Sequence, residues 1–185
     1  MLVILSGVAG AGKDTVKKEV VKRLDYVETF PTVTSRPMRK GDIPGVTYIF
    51  VTEDKFKEMI ENNELYEYDL HHNNYYGVAK KPLQEKIQNG KVAIRDVDVN
   101  GTESLIKRLG NTMKIITIFL RVPKEELRRR LEARIDRPSE DEIELRLGRF
   151  DYEESKANQY DYIIDNTNQD ETIEKVIKII EENRE

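Results

Sequence analysis

A glycine-rich stretch near the start of the chain has the spacing of a phosphate-binding loop, or P-loop. The stretch reads Gly7-Val8-Ala9-Gly10-Ala11-Gly12-Lys13, with glycine at its first and sixth positions and lysine next. Glycines allow backbone N–H groups to wrap a phosphate, and the lysine reaches the outer phosphates of a nucleotide. The apolar run Leu2–Leu5 precedes the stretch and a helical pattern follows it, so a helix N-terminus adds positive potential. We therefore predict a nucleotide-binding P-loop here.

The residue after Lys13 departs from the P-loop pattern. A serine or threonine usually presents its hydroxyl to Mg²⁺ at this position, whereas this chain has Asp14 followed by Thr15. A carboxylate can hold Mg²⁺ directly or through water, although it adds negative charge beside the nucleotide. The alternative is that Asp14 only favours the first turn of a helix. We keep both interpretations, and Asp14 is our candidate metal ligand.

Two groups of arginines could also bind phosphate. Arg36 and Arg39 lie three residues apart on a loop that contains proline and glycine, and Arg130 and Arg134 share one face of a predicted helix. Guanidinium groups bind phosphate oxygens in pairs. The alternative in each case is a solvent-exposed charge cluster, with i,i+4 ion pairs on the helix.

Composition excludes several classes of function. The chain has 185 residues, a net charge of −4, no cysteine and two histidines. The length argues for one domain, and the negative net charge argues against non-specific binding to nucleic acid. The absence of cysteine excludes disulfides, thiolate nucleophiles and cysteine-zinc sites. No apolar run approaches the roughly 20 residues of a membrane span, and the N-terminus lacks the features of a signal peptide. We expect a soluble cytoplasmic protein.

Apolar and amphipathic segments alternate along the chain, which favours an α/β fold with a mainly parallel sheet. The predicted strands are Leu2–Leu5, Thr47–Val51, Val92–Ile94, Ile115–Leu120 and Tyr162–Ile164. The predicted helices are Lys13–Leu24, Lys55–Asn62, Pro82–Asn89, Thr102–Leu109, Glu125–Arg134, Asp141–Asn158 and Glu171–Asn183. The region of about 32–81 breaks this rhythm with a loop, a strand, a helix and a strand, so we predict a small α+β subdomain inserted into a core of residues 1–31 and 82–185.

The loop that carries Arg36 and Arg39 belongs to a longer pattern that resembles the signature of the guanylate kinase family. The pattern reads Thr34-Ser35-Arg36-x-x-Arg39-x-x-Asp42-x-x-Gly45-x-x-Tyr48-x-Phe50-Val51. Further matches in family order are Glu64–Tyr68, Asn74–Gly77, Asp96-Val97-Asp98-x-x-Gly101, Arg130-Leu131 with Arg134, Arg146-Leu147 and Tyr160-Asp161-Tyr162-x-x-x-Asn166. The resemblance covers nearly the whole chain. It implies a three-layer P-loop NTPase core that binds ATP, an inserted subdomain that binds GMP, and a helical arginine lid at about 133–140.

The resemblance also implies roles for individual residues, which we state as expectations. Residues expected to bind ATP are Gly7, Val8, Ala9, Gly10, Ala11, Gly12, Lys13, Asp14, Thr15 and Asn166. Residues expected to bind GMP are Thr32, Arg36, Arg39, Tyr48, Glu67, Tyr76, Val78, Asp96 and Asp98. Residues expected to act on the transferring phosphoryl group are Lys13, Arg130, Arg134 and Arg146. The lid is one residue longer than usual, so Arg137 could replace Arg134.

Val78 is a second departure, because the family usually has serine or threonine after Tyr76-Gly77. Together with Asp14, it resembles the ribose 1,5-bisphosphate phosphokinases, which have no base to read. Glu67 argues for guanine, since one carboxylate can pair with the N1–H and N2–H₂ donors of this base. We favour ATP-dependent phosphorylation of GMP with Mg²⁺, keep the sugar-phosphate kinase as the alternative, and rank a non-catalytic scaffold module below both. We expect no nucleic-acid or membrane partner and leave a homodimer open.

Overall fold

The computed structural model describes residues 1–38, 42–71, 73–133 and 139–184. Its strands are β1 (Leu2–Ser6), β2 (Val27–Thr29), β3 (Thr32–Thr34), β4 (Tyr48–Phe50), β5 (Leu65–His71), β6 (Asn74–Ala79), β7 (Val92–Asp96), β8 (Ile115–Arg121) and β9 (Tyr162–Asp165). Its helices are α1 (Lys13–Arg23), α2 (Glu53–Glu61), α3 (Lys80–Gln88), α4 (Val99–Leu109), α5 (Lys124–Glu132), α6 (Glu140–Gly148), α7 (Phe150–Ser155) and α8 (Gln169–Asn183), with a 3₁₀ turn at Ala157–Gln159. None of the helices in these ranges is long and apolar enough to cross a bilayer.

A five-stranded sheet in the order β2-β7-β1-β8-β9 forms the centre, and every pairing in it is parallel. All of β1 is buried, as in a strand covered on both faces. Val3 and Leu5 belong to one hydrophobic core with residues of α1, α5, α6 and α8, whereas Leu2 and Ile4 belong to another with residues of α3 and α4. The predicted α/β architecture, with helices on both faces of a parallel sheet, is therefore confirmed.

A second sheet in the order β4-β3-β6-β5 is built from residues 32–79. Its β3–β4 pair is parallel, and its other pairs are antiparallel. The sheet has its own small core, in which Val33, Phe56 and Leu65 are buried. The sequence predicted fewer strands in this region, because three-residue strands such as β3 are too short to show a period-2 pattern.

The prediction of one helix over Asp141–Asn158 was wrong. The structure ends α6 at Gly148 and begins α7 at Phe150, with Arg149 between them at φ −86° and ψ −10°. Glycine is a weak helix former, costing about 1 kcal/mol relative to alanine, so the chain breaks beside Gly148 at little loss. The start of α6 was predicted correctly: Ser139 and Glu142 form a reciprocal capping box.

The core of the second sheet provides a test of its independent packing. Phe56 is fully buried and stacks on Tyr75, with ring centroids 5.1 Å apart. We expect Phe56→Ala to lower the free energy of unfolding by about 3–5 kcal/mol, because the cavity it leaves cannot collapse completely. Urea denaturation followed by circular dichroism measures this loss. Ile106→Ala is the control, since Ile106 is 41% exposed and should change stability by about 0.5 kcal/mol or less. A loss below about 1 kcal/mol for Phe56→Ala would contradict this packing.

Candidate active site

The P-loop leaves the end of β1 and turns on three glycines with positive φ. Gly7, Gly10 and Gly12 have φ of 130°, 96° and 90°. A Cβ on Gly7 would lie 2.3 Å from the carbonyl oxygen of Leu120 in β8, so only glycine fits there. Val8 and Ala11, both predicted to bind ATP, are fully buried in the hydrophobic core. They therefore anchor the loop, while the residues between them face the open side.

Lys13, the first residue of α1, folds back over the loop. Its Nζ donates hydrogen bonds to the carbonyl oxygens of Gly7 at 2.6 Å and Val8 at 2.9 Å. The ammonium group thus lies beside the loop, and Lys13 lines the cavities that border it. It also stabilises the shape of the loop.

The open side of the loop forms the larger of two cavities that border the loop, with a volume of about 580 Å³. Its lining residues are Ala9, Gly10, Gly12, Lys13, Asp14, Thr15, Asp96, Arg130, Leu145, Arg146, Arg149 and Glu153. Most of the predicted ATP-binding residues meet here, together with two of the predicted phosphoryl-clamping arginines. A volume of this size accommodates a nucleotide.

Arg130 and Asn166 support this cavity from the side of α5 and β9. The guanidinium group of Arg130 donates to Glu126 and to the backbone oxygen of Asn166, both at 2.8 Å. Hydrogen bonds from Arg129 and Arg130 lower the pKa of Glu126 to about 2. Asn166 is buried behind the loop, where its side-chain amide donates to the Ala11 carbonyl oxygen at 2.6 Å. In this geometry Asn166 supports the P-loop and does not line the cavity.

A chain of alternating charges links Asp14 to the second side of the site. Lys17 is buried and contacts Asp14 at 3.0 Å and Asp96 at 2.6 Å, and Lys18 holds the other oxygen of Asp14 at 2.6 Å. Burial raises the pKa of Asp96, but the charges of Arg95 and Lys17 outweigh it and hold that pKa well below its usual range. At Asp14, burial also raises the pKa, but the hydrogen bonds and charges of Lys18 and Lys17 outweigh it, so the pKa is lowered. Both carboxylates are therefore ionised at neutral pH.

The smaller cavity, of about 320 Å³, lies between the P-loop and the second sheet. Its lining residues are Gly7, Ala9, Lys13, Thr32, Tyr48, Glu67, Asp69, Tyr76, Gly77, Val78, Arg95, Asp96, Val97, Asp98, Gly101, Arg149 and Glu153. Of the predicted GMP-binding residues that the structure describes, all but Arg36 line it. The two cavities share Ala9, Lys13, Asp96, Arg149 and Glu153, so they adjoin at these residues, which we call the junction.

Glu67 is a buried carboxylate of the smaller cavity, on the side of the second sheet. It stands in β5 directly opposite Val78 of β6, and both residues are buried. The side chain reaches the first turn of α4, where a Cβ on Gly101 would lie 3.6 Å from Glu67 Oε2. Asp98 caps the same turn by accepting a hydrogen bond from the Gly101 amide at 2.7 Å. Val78 supplies no hydroxyl and also packs in the core beneath the cavity.

The aromatic wall of the smaller cavity contains Tyr48 and Tyr76, whose rings meet edge-on at 6.1 Å. Burial raises the pKa of the Tyr48 phenol, so the group stays protonated and keeps its donor. Arg95 crosses beneath this wall, where it donates to Thr32 Oγ1 at 2.9 Å and to the Thr47 carbonyl oxygen at 3.0 Å. Thr32 is thereby held at the edge of the cavity by the central sheet.

Arg36 lies behind the wall and does not line either cavity. Its guanidinium group pairs with Asp42 at 3.0 Å and lies 5.2 Å from the ring centroid of Tyr48. Arg39, Arg134 and Arg137 lie outside the described residues, as does most of the predicted lid at 133–140.

Several lining residues were missed by sequence reasoning: Asp69, Arg95, Arg149 and Glu153. Arg95 did leave a signal, because an arginine at the end of the apolar strand Val92–Ile94 has to find buried partners. Arg149 and Glu153 fall within a helical charge pattern that gives no means to separate them from a solvated face.

Fold and site together have the features of a P-loop phosphotransferase, since a loop with the P-loop spacing follows a parallel strand and borders two adjoining cavities. Residues 1–183 match the family model described as guanylate kinase. The chain belongs to the guanylate kinase family and is a nucleoside monophosphate kinase.

Individual relatives agree with this assignment. The chain is 38% identical to the guanylate kinase of Sulfurimonas denitrificans over 97% of this chain and 85% of that protein. It is 34% identical to that of Prochlorococcus marinus subsp. pastoris, over 97% and 96% of the two chains. The crystal structure of guanylate kinase from Anaplasma phagocytophilum superposes with a TM-score of 0.79 at 26% identity, covering 100% of this chain and 86% of that one. A shikimate kinase from Bacteroides thetaiotaomicron, with a TM-score of 0.52 at 14% identity, shares the fold.

The carboxylate at the junction of the cavities gives a pH-dependent prediction. Burial raises the pKa of Glu153 above its ordinary 4.5, although the charges of Lys13 and Arg149 act to lower it. A raised pKa favours folding below pH 4.5, and this contribution is lost as the pH rises through the folded-state pKa. We therefore expect Glu153→Gln to increase the free energy of unfolding at pH 7.5, and the gain to shrink towards pH 4.5.

Chemical denaturation at the two pH values measures the effect of Glu153→Gln. The matched control is Glu154→Gln, which removes the neighbouring carboxylate that pairs with Arg121 outside the cavities and should give no gain. A Glu153→Gln variant less stable than the wild type at pH 7.5 would contradict the expected sign.

Proposed function

We propose that the chain transfers the γ-phosphoryl group of ATP to GMP, giving ADP and GDP. The observation that carries this proposal is the junction of the two cavities at Lys13. ATP in the larger cavity and GMP in the smaller one would place a GMP phosphate oxygen opposite the γ-phosphorus. A bond forms between these atoms while the bond from the γ-phosphorus to the bridging oxygen of ADP breaks. Such a transfer needs positioning and charge neutralisation, not a covalent side chain.

The P-loop amides and Lys13 bind the outer phosphates of ATP. Arg130 and Arg146 line the larger cavity, where their charges neutralise the transferring phosphoryl group. Arg134, or Arg137 in its place, is proposed from the family resemblance to add a cation from the lid. Asn166 keeps the loop in shape through its bond to Ala11.

Mg²⁺ is the expected companion of ATP in this site. Magnesium usually binds through one or two carboxylates plus substrate phosphates and water, and Asp14 and Asp96 are two ionised carboxylates that line the larger cavity. The residues present therefore fit the ion, which would neutralise phosphate charge. The described residues contain no cluster of three metal-ligating side chains, consistent with a metal that arrives with the nucleotide.

Glu67 reads guanine in the smaller cavity. Its carboxylate is buried, and a buried carboxylate lowers its free energy by accepting two hydrogen bonds, which the N1–H and N2–H₂ groups of guanine supply. Adenine has an acceptor at N1 and would face the carboxylate with its lone pair. Thr32, Tyr48 and Tyr76 line the same cavity and are proposed to hold the base and phosphate of GMP, with Asp96 and Asp98 at its floor.

The arginine loop is proposed to complete the phosphate site of GMP. Arg36 is preorganised by Asp42 and by the ring of Tyr48, which itself lines the smaller cavity. Exchange of Asp42 for the GMP phosphate would bring the guanidinium group to the substrate, and Arg39 would join it. The inserted subdomain at 32–81, the lid at 133–140, a cytoplasmic location and a homodimer stay predictions.

These relatives give the sugar-phosphate alternative no support. A coupled assay of ADP release with GMP, dGMP, AMP, UMP, CMP and ribose 1,5-bisphosphate tests the proposed function directly. GMP or dGMP should be turned over far faster than the others. Preferred turnover of ribose 1,5-bisphosphate would overturn the proposal, and no turnover of any acceptor would favour a scaffold.

Replacement of the P-loop lysine tests the phosphoryl-transfer role. We expect Lys13→Met to lower kcat by about 10³-fold or more, because a preorganised cation acts on the charge of the transition state. Loss of its two bonds to the loop carbonyls should lower thermal stability only slightly. Lys22→Met is the matched control on α1, since Lys22 is 75% exposed and pairs with Glu19. A Lys13→Met variant with more than a tenth of wild-type kcat would contradict the assignment.

Replacement of the buried carboxylate tests base recognition. Glu67→Ala should lower kcat/KM for GMP by about 1–3 kcal/mol, because two donors of the base lose their acceptor in a desolvated pocket. Glu67→Gln, which offers one donor and one acceptor, should reduce the preference for GMP over AMP. Steady-state assays with both nucleotides measure these effects, with Glu64→Ala at the exposed start of the strand as control. Turnover of GMP that is indifferent to Glu67→Ala would overturn guanine reading by this residue.

A further inference from the structure

Arg149 occupies the junction of the two cavities, although its position lies outside the motifs that the sequence analysis singled out. Among the described residues that line the cavities, Lys13 and Arg149 are the cations that border both. Arg130 and Arg146 border the larger cavity alone. Resting on the proposed function, we propose that Arg149 is a further catalytic residue, whose guanidinium group contacts the phosphoryl group as it passes from ATP to GMP.

The break between α6 and α7 places Arg149 at the junction. Arg149 is both the C-cap of α6 and the N-cap of α7, with φ −86° and ψ −10°. Glu153 lies one turn later, where its amide donates to the Arg149 carbonyl oxygen at 2.9 Å, and it lines the same junction.

Glu153 fixes the guanidinium group. Arg149 Nε lies 3.3 Å from a carboxylate oxygen of Glu153, and Glu153 is 5% exposed. The other carboxylate oxygen, Oε2, is buried without a hydrogen-bond partner among the described residues. Lys13 and Arg149 both supply positive charge to this buried carboxylate, and the ion pair with Glu153 holds Arg149 at the junction before any substrate binds. Preorganised charge of this kind stabilises a transition state without reorganisation during the reaction.

The position matches the charge that develops during transfer. In phosphoryl transfer, negative charge spreads over the three equatorial oxygens between the attacking and leaving atoms. Lys13 approaches this point from the P-loop, and Arg149 approaches it from the start of α7. A cation that borders both cavities contacts the phosphoryl group during transfer more closely than it contacts ATP or GMP when either is bound alone. Its removal should therefore affect kcat more than KM.

The test compares Arg149→Ala with Arg149→Lys and with a matched control. Arg121→Ala is the control, because Arg121 also pairs with a glutamate of α7, Glu154, with a similar exposure of 38% against 34% for Arg149, but lines neither cavity. We expect Arg149→Ala to lower kcat by about 10²-fold or more, with KM for ATP and GMP changed by less than about threefold. Arg149→Lys, which keeps a charge for Glu153, should fall between Arg149→Ala and the wild type, and Arg121→Ala should stay at the wild-type value.

A binding measurement adds a readout that a purely structural role would not change. The probe is a bisubstrate analogue in which adenosine and guanosine are joined by five phosphates, so that its phosphate chain crosses the junction. Calorimetry should show that Arg149→Ala weakens this probe about tenfold or more, while ADP alone and GMP alone bind as to the wild type.

Two results would overturn the role of Arg149 alone: an active wild type with a kcat loss below about fivefold in Arg149→Ala, or an equal loss in Arg121→Ala. A wild type that does not phosphorylate GMP would instead overturn the proposed function and this inference with it.

Discussion

The parallel pairing of β1 with its two neighbours is the constraint on which the site depends. Leu5 pairs with Asp96 of β7 on one side and with Ile118 of β8 on the other. Parallel strands end at the same edge of a sheet, so the P-loop after β1 and Asp96 at the end of β7 must be neighbours. The first position of the loop, Gly7, must be glycine, because Leu120 of β8 leaves no room for a Cβ there. The order of three strands thus fixes where phosphates bind.

Arg95 extends this constraint to the second sheet. It belongs to β7 of the central sheet but donates to the Phe30 carbonyl oxygen at 3.0 Å and to Thr32, at the point where the chain enters the second sheet. The guanidinium group is buried, so its hydrogen bonds and its pairing with Asp96 cannot be replaced by water. Thr32, which lines the smaller cavity, is therefore hydrogen-bonded to the same strand that ends in Asp96. These hydrogen bonds of Arg95 fix the second sheet, and with it the smaller cavity, beside the larger cavity.

Much of this arrangement could be predicted from residues with a local signature. The P-loop has a fixed spacing, and the central strands are continuous apolar runs. The capping box of Ser139 and Glu142 predicts the start of α6. The remaining features depend on tertiary packing. The break at Arg149 results from a weak preference at one glycine. The burial of Asn166 behind the loop results from its bond to Ala11, 155 residues away in the chain. Periodicity records which face of an element is apolar, not which charged residue on the other face meets a cavity.

Several cations in and around the site are paired with carboxylates. Lys17 and Arg95 lie against Asp96, Arg130 against Glu126, and Arg149 against Glu153. This pairing explains how a chain with a net charge of −4 can assemble several positive groups around a cavity for phosphates. Isolated cations that close together would repel one another and would move when no substrate is bound. Paired with carboxylates, they keep their places, and the phosphates of the substrates meet charges that are already positioned.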